Sequence, residues 1–271
     1  MKIVTFYNKK GGVGKTHLNY LTALDLVQNE GKKVLYIDAD SQSNSTVFIN
    51  GRECKTNTIV DALVNDLDAE DVIIKTPMED YAGLDLIPSN SKMSKMAELI
   101  STITAKEKVA IRWFKKNLDI LKEYDYIFID LAPTDDIVVR NFLFLADSII
   151  PVLKWEDISS LKGCMDFLKA YEKDREALEL QGKVNVRAVM NCYSSQETSA
   201  SKNFKILLNS YDKIKEMLIN TKINNSVAIK NAVMYRMSLE DYSSDMRGCA
   251  KSSANTQLRN LTKELIEGGI L

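Results

Sequence analysis

With 271 residues, 45% of them hydrophobic and 27% charged, the chain is long enough to bury a sizeable core as one α/β domain or two small ones. Its 36 basic and 37 acidic side chains nearly cancel, so bulk charge excludes no partner class; only a locally clustered basic face would bind phosphates. Four scattered cysteines (Cys54, Cys164, Cys192 and Cys249) and one histidine, His17, argue against a zinc or iron–sulfur centre within a single chain, and no run of about 18 apolar residues offers a membrane span.

Taken in chain order, short apolar segments alternate with amphipathic helical stretches, which predicts a parallel sheet covered by helices. The start, Met1–Tyr7, carries no signal-peptide pattern and runs straight into a glycine loop, so a soluble, cytoplasmic protein is expected. Ile3–Tyr7 reads as the first strand, Lys15–Gln28 as a helix stopped by Gly31, and Lys33–Asp38 as a strand apolar enough to be buried on both faces. Thr58–Val64 reads as helix, Leu84–Pro88 as strand, Ser91–Lys122 as one or two helices, and Tyr126–Asp130 as strand. Ser148–Val152 and Val184–Asn191 are further strands, separated by the helix Ser159–Tyr171. A Lys-rich helical stretch then reaches about Leu218, and Ser253–Glu267 closes as a helix with Leu258, Leu261, Leu265 and Ile266 on one side. Pro88, Pro133 and Pro151 fall at or beside strand ends; with no repeat or linker, residues 1–271 are expected to form a single domain.

The chemistry concentrates at Lys10-Gly11-Gly12-Val13-Gly14-Lys15-Thr16, between the first strand and the first helix. Glycines let successive backbone N–H groups turn toward phosphate oxygens, and the helix N-terminus adds its dipole. Lys15 is then placed to reach the β- and γ-phosphates, and the Thr16 hydroxyl to ligate Mg²⁺. The general P-loop pattern begins with glycine, and Lys9 stands at that position here. Two strands finish in aspartate: Asp38 and Asp40 close one, Asp130 the other. In an open parallel sheet ligands bind beyond the carboxyl ends of the strands, where a strand-terminal Asp holds Mg²⁺ directly or through water.

These residues resemble the ParA/Soj branch of the deviant Walker A ATPases. The family loop K-G-G-x-x-K-[ST] is matched by Lys10, Gly11, Gly12, Lys15 and Thr16; the segment Tyr36–Gln42 resembles I-D-x-D-P-Q, and Tyr124–Asp130 resembles Y-D-x-I-I-I-D. Ala146–Val152 resembles A-D-x-x-I-P-V, Leu161-Lys162-Gly163 the following S-L-x-G, so the likeness runs to about residue 193, and more weakly over Val227–Glu267. Ser41 replaces the family's Pro, Leu131-Ala132-Pro133 its T-P-P, and His17 a usual second hydroxyl.

The resemblance implies a doubly wound, mostly parallel sheet flanked by helices, and an ATPase for plasmid or chromosome segregation. ATP and Mg²⁺ would close a sandwich homodimer that grips DNA without sequence preference, until a ParB-like centromere-binding partner stimulates hydrolysis. By the same resemblance Lys10 crosses the dimer interface to the partner's ATP, Asp38 helps organise the metal site with Thr16 and Asp130, and Asp40 positions the attacking water. Gly11, Gly12, Val13, Gly14, Lys15, Thr16 and His17 would line the nucleotide, and Asn191 falls where the family places an Asn on the adenine ring. Such a protein would be cytoplasmic and nucleoid-associated, with no membrane partner.

The C-terminal third is basic in patches, which suits either ordinary solvated helix faces or a phosphate-tracking surface formed by two subunits; Arg236, Arg247 and Lys251 are the expected DNA contacts. Trp113 and Trp155 read as packing or loop residues. The rival functions are a MinD-like membrane-positioning ATPase, which needs a basic amphipathic tail that Gln257–Glu267 does not supply, and a metabolic or metal-carrier relative, which in the carrier case needs paired cysteines.

Overall fold

A computed structural model describes residues 1–245 and 253–271. Two compact units are distinguished, Met1–Thr5 with Ala23–Asp147, and Phe6–Thr22 with Ser148–Leu271, so that the boundaries fall inside the first strand and the first helix. Eight strands run parallel to their partners, as the alternation of apolar strands and helices predicts.

In the first unit the strand order is β3-β2-β4-β1, formed by β1 (Lys2–Tyr7), β2 (Val34–Ala39), β3 (Leu84–Ile87) and β4 (Tyr126–Leu131). Strand β2 is buried at every position, which is why its sequence shows no polar alternation. Helix α1 (Lys15–Glu30) ends at Gly31, whose φ of 61° gives the left-handed stop. Between the strands lie α2 (Asn44–Asn50), α3 (Ile59–Val64), α4 (Ala69–Val72), α5 (Met96–Ile100), α6 (Val109–Lys116), α7 (Leu118–Leu121) and α8 (Ile137–Leu143). Thr58 caps α3 in a capping box with Asp61. The stretch Ser91–Lys122 is three short helices with 3₁₀ turns rather than one or two long ones; Ala105 takes a left-handed φ of 53° and interrupts it after a run of Ser and Thr.

The second unit carries β5 (Ser148–Lys154), β6 (Asn185–Val186), β7 (Ala188–Tyr193) and β8 (Leu218–Asn224), ordered β5-β7-β8 with β6 beside β5. Its helices are α9 (Ile158–Ala177), α10 (Ser199–Asn209), α11 (Asp212–Met217), α12 (Val227–Met234), α13 (Leu239–Asp245) and α14 (Ser253–Glu267). Pro151 lies inside β5, not at its end, and the expected strand Val184–Asn191 is split at Arg187 into β6 and β7. Strand β8 escapes the sequence pattern because only Ile223 in it is fully buried. Its backbone N–H groups are met by α14: the Glu264 carboxylate accepts from Asn220 and Thr221 at 2.6 and 2.8 Å, and Gln257 Oε1 accepts from Asn224 at 2.9 Å. Leu258, Leu261 and Leu265 of α14 are buried, so the apolar side of this helix faces core. Trp155 packs on Tyr193 and Phe204 at ring distances of 4.9 and 5.2 Å, and Trp113 is buried with its Nε1 donating to the Leu67 carbonyl; both are packing residues. Among the described residues no helix is long and apolar enough to cross a membrane.

Candidate nucleotide site

The glycine loop leaves β1 through Asn8, whose fully buried side chain anchors the loop at its base. Asn8 Nδ2 donates to the carbonyls of Val152 on β5 and Ser160 on α9, both at 2.9 Å, while its Oδ1 accepts the Lys10 N–H at 2.9 Å. Three bonds to one buried amide set the loop's starting direction. Helix α9 comes close enough for this only because residue 163 is glycine, where a Cβ would stand 2.8 Å from Asn8 Oδ1.

At the other end of the loop, Gly14 takes φ 97°, a backbone conformation that side chains rarely adopt. A Cβ there would also approach Asn191 Nδ2 to 2.2 Å, because that amide donates to the Val13 carbonyl at 2.7 Å. Helix α1 then begins, with the Leu18 N–H reaching the Gly14 carbonyl at 3.0 Å. Lys15 is 6% exposed and its Nζ donates to the Lys10 carbonyl at 3.3 Å, so the ammonium is folded back along the loop. Lys10 is held at both backbone atoms, yet its side chain is exposed and its ammonium meets no partner among the described residues.

A cavity of about 310 Å³ opens beside this loop, lined by Gly12, Gly14, His17, Asn191, Asn224 and Lys230 among others. Asn224 and Lys230 come from β8 and α12, neither of which the sequence pattern revealed. The imidazole of His17 is held below its ordinary pKa by burial first and by the Lys230 charge second. The glycine conformations, the buried ammonium and the N-terminus of a 16-residue helix form a donor set for a phosphate chain.

The acidic residues assemble in the first unit. Asp38 and Asp130 are direct register partners on β2 and β4, side by side at the carboxyl ends of parallel strands. Both are buried. Asp38 Oδ2 accepts from the Thr46 N–H and hydroxyl at 2.7 and 2.8 Å, and its Oδ1 accepts the Asp40 N–H at 3.1 Å; Asp130 Oδ2 accepts from the Ser45 hydroxyl at 2.6 Å. Asp38 thus holds the start of α2 as well as facing Asp130. The Asp40 loop is fixed through its main chain: its carbonyl accepts from Ser89 Oγ and from the Ser43 N–H, both at 3.0 Å, and among the described residues its carboxylate accepts only the Gln42 N–H, at 2.9 Å. Ser45, Thr46 and Ser89 were not singled out by the sequence; the hydroxyl-rich run Ser41–Thr46 immediately after Asp40 is the signal that marks the first two.

Burial, and then the charge of Asp130, push the Asp38 carboxyl from 3.8 up to about 7, against the pull of its Thr46 and Asp40 bonds. Two buried acids at adjacent strand ends suit a bound cation, whose charge would offset their repulsion. A raised acid pKa means the folded state binds the extra proton, so this group's contribution favours folding below pH 3.8 and is lost as pH rises toward 7. Asp130→Asn removes the repulsion but not the burial. In metal-free protein at pH 8 it is expected to raise Tm by about 2–4 °C for each kcal/mol relieved, and to abolish the stabilisation that Mg²⁺ gives the wild type. Thermal melts of both proteins with EDTA and with Mg²⁺ check this; a lower metal-free Tm for the variant would refute it.

Other expected residues fare differently. Lys202 and Lys205 lean on Glu197, Lys213 on Glu172 and Lys215 on Asp212, so part of the basic C-terminal surface is locally neutralised. Arg236 follows α12 at a left-handed φ of 59°. Arg247, Lys251 and Cys249 lie outside the described residues, and among the described residues no group of three potential metal-binding side chains occurs.

The family model AAA_31, described as an AAA domain, matches residues 1–188. The chromosome partitioning protein ParA of Caulobacter vibrioides is 30% identical over 191 residues, covering 68% of this chain and 68% of its own. A putative plasmid partition protein of Borrelia burgdorferi, solved with AMPPNP, aligns with a TM-score of 0.74 and 22% identity over 98% of this chain and 99% of that one. Cobyrinic acid a,c-diamide synthase of Mycobacterium smegmatis, solved with an ATP analog and magnesium, aligns with a TM-score of 0.76 and 18% identity over 99% and 95%. At those identities the two structures speak for the fold.

Proposed function

Because the chain belongs to the ParA/Soj family of P-loop ATPases, we propose that it hydrolyses ATP to drive DNA segregation, gripping DNA as an ATP-bound homodimer and releasing it when a ParB-like partner stimulates turnover. The observation that carries this reading is Lys10, pinned at its backbone N–H and carbonyl while its ammonium stands exposed beside the loop. A charge presented outward from a phosphate cradle suits a neighbouring molecule's nucleotide, as a finger supplied in trans does. Backbone N–H groups of Gly11–Thr16 and the Lys15 ammonium bind and orient the phosphates, and Asn191, whose Nδ2 is committed to Val13, keeps its Oδ1 for an amino group on the base. The roles of Thr16, Asp38 and Asp130 toward Mg²⁺ follow the family motifs, and the paired buried carboxylates favour them. When bound, Mg²⁺ neutralises charge on the β- and γ-phosphates. Asp40 orients the attacking water.

DNA binding is expected to require ATP and to ignore base sequence. Its log–log salt slope should be about −0.9 for each phosphate neutralised, and charge reversal at Arg236, Arg247 or Lys251 should weaken it on every sequence alike. Cosedimentation with unrelated duplexes across a salt series, with ATP, ADP and no nucleotide, is the test. An ATP-loaded dimer with no salt-sensitive DNA binding would refute segregation by DNA gripping and leave a metabolic role on the same fold.

A further inference from the structure

The cavity beside the glycine loop holds a cation that none of the motifs assigns. Lys230, on the first turn of α12, lines it together with His17, and its ammonium forms no ion pair or hydrogen bond with any described residue. It shares this cavity with Gly12 and Gly14 of the glycine loop and with Asn191 and Cys192 of β7.

The residues that share the cavity say which anion fits. On the ATPase reading Lys15 and the loop N–H groups take the β- and γ-phosphates, and Asn191, which lines the cavity, takes the base. His17 comes directly after Thr16 on α1, so the space it shares with Lys230 corresponds to the link between phosphate chain and ribose. We propose that Lys230 is a nucleotide-binding residue of this chain, its ammonium pairing with the phosphoryl group attached to the ribose. This rests on the ATPase reading and adds a contact supplied by the C-terminal third.

Displacement of a fluorescent ATP analogue by ATP, ADP, AMP and adenosine tests it in wild type, Lys230→Met and Lys230→Arg. Lys230 is exposed and methionine keeps its apolar stem, so the fold is preserved. The methionine variant is expected to bind ATP, ADP and AMP each about tenfold more weakly, the loss of one charge-assisted bond. Adenosine should be unaffected, and arginine should restore most of the affinity. Unchanged binding of the three nucleotides, an equal loss for adenosine, or a loss confined to ATP and ADP would each overturn the assignment. Wild-type protein that bound none of the four would instead defeat the ATPase reading itself, and the role of Lys230 with it.

Discussion

Lys15→Ala is expected to weaken ATP binding by about a hundredfold or more, the usual cost of removing one partner from a buried charge pair. Lys15 is nearly sealed from solvent, and folding places its ammonium against the Lys10 carbonyl inside the loop. A phosphate chain is the ligand whose negative charge an ammonium held inside this loop attracts. The loop itself should survive the substitution, because Asn8 and Asn191 hold its two ends independently of Lys15. Calorimetric titration with ATP is decisive if circular dichroism shows the variant folded. Binding at wild-type strength would remove Lys15 from the phosphate site and with it the basis for reading this loop as a nucleotide cradle.

Asp40→Ala is expected to lower the hydrolysis rate by about a hundredfold, the scale of a lost positioning contact, while ATP binding is retained. The loop geometry makes this a clean substitution. Four bonds hold the segment, and three of them use main-chain atoms of residue 40: the N–H to Asp38, and the carbonyl to Ser89 and Ser43. Only the bond from the Gln42 N–H depends on the carboxylate. Alanine therefore removes the acid while leaving the turn anchored. Single-turnover hydrolysis, measured beside nucleotide affinity, separates the two effects; a normal rate would move water positioning to another residue.

The glycine loop and the strand-end acids were legible because each obeys a local rule. Gly14 needs a left-handed backbone, and Asp38 and Asp130 terminate apolar runs that only buried parallel strands produce. The rest of the site depends on contacts across long sequence distances. Asn8 reads as an ordinary polar residue until Val152 and Ser160 are brought to it. Ser45 and Thr46 sit on a helix of seven residues, too short to show a 3.6-residue period. Strand β8 is mostly half-exposed and includes Asn220, Thr221 and Lys222, so nothing in its composition separates it from the Lys-rich helices before it. With β8 hidden, the cavity wall that carries Asn224 and Lys230 was hidden too.

The manner in which α14 meets β8 bears on how the protein behaves when crowded. A strand with open N–H groups is a template on which a neighbouring molecule can add its own strand, the first step toward sheet-mediated aggregation. Here Glu264 and Gln257 occupy three such groups with side-chain oxygens. Docking at those positions would require an incoming chain to displace the Glu264 carboxylate or the Gln257 carboxamide. Copies held at high local concentration therefore lie close together without growing into one another along this strand.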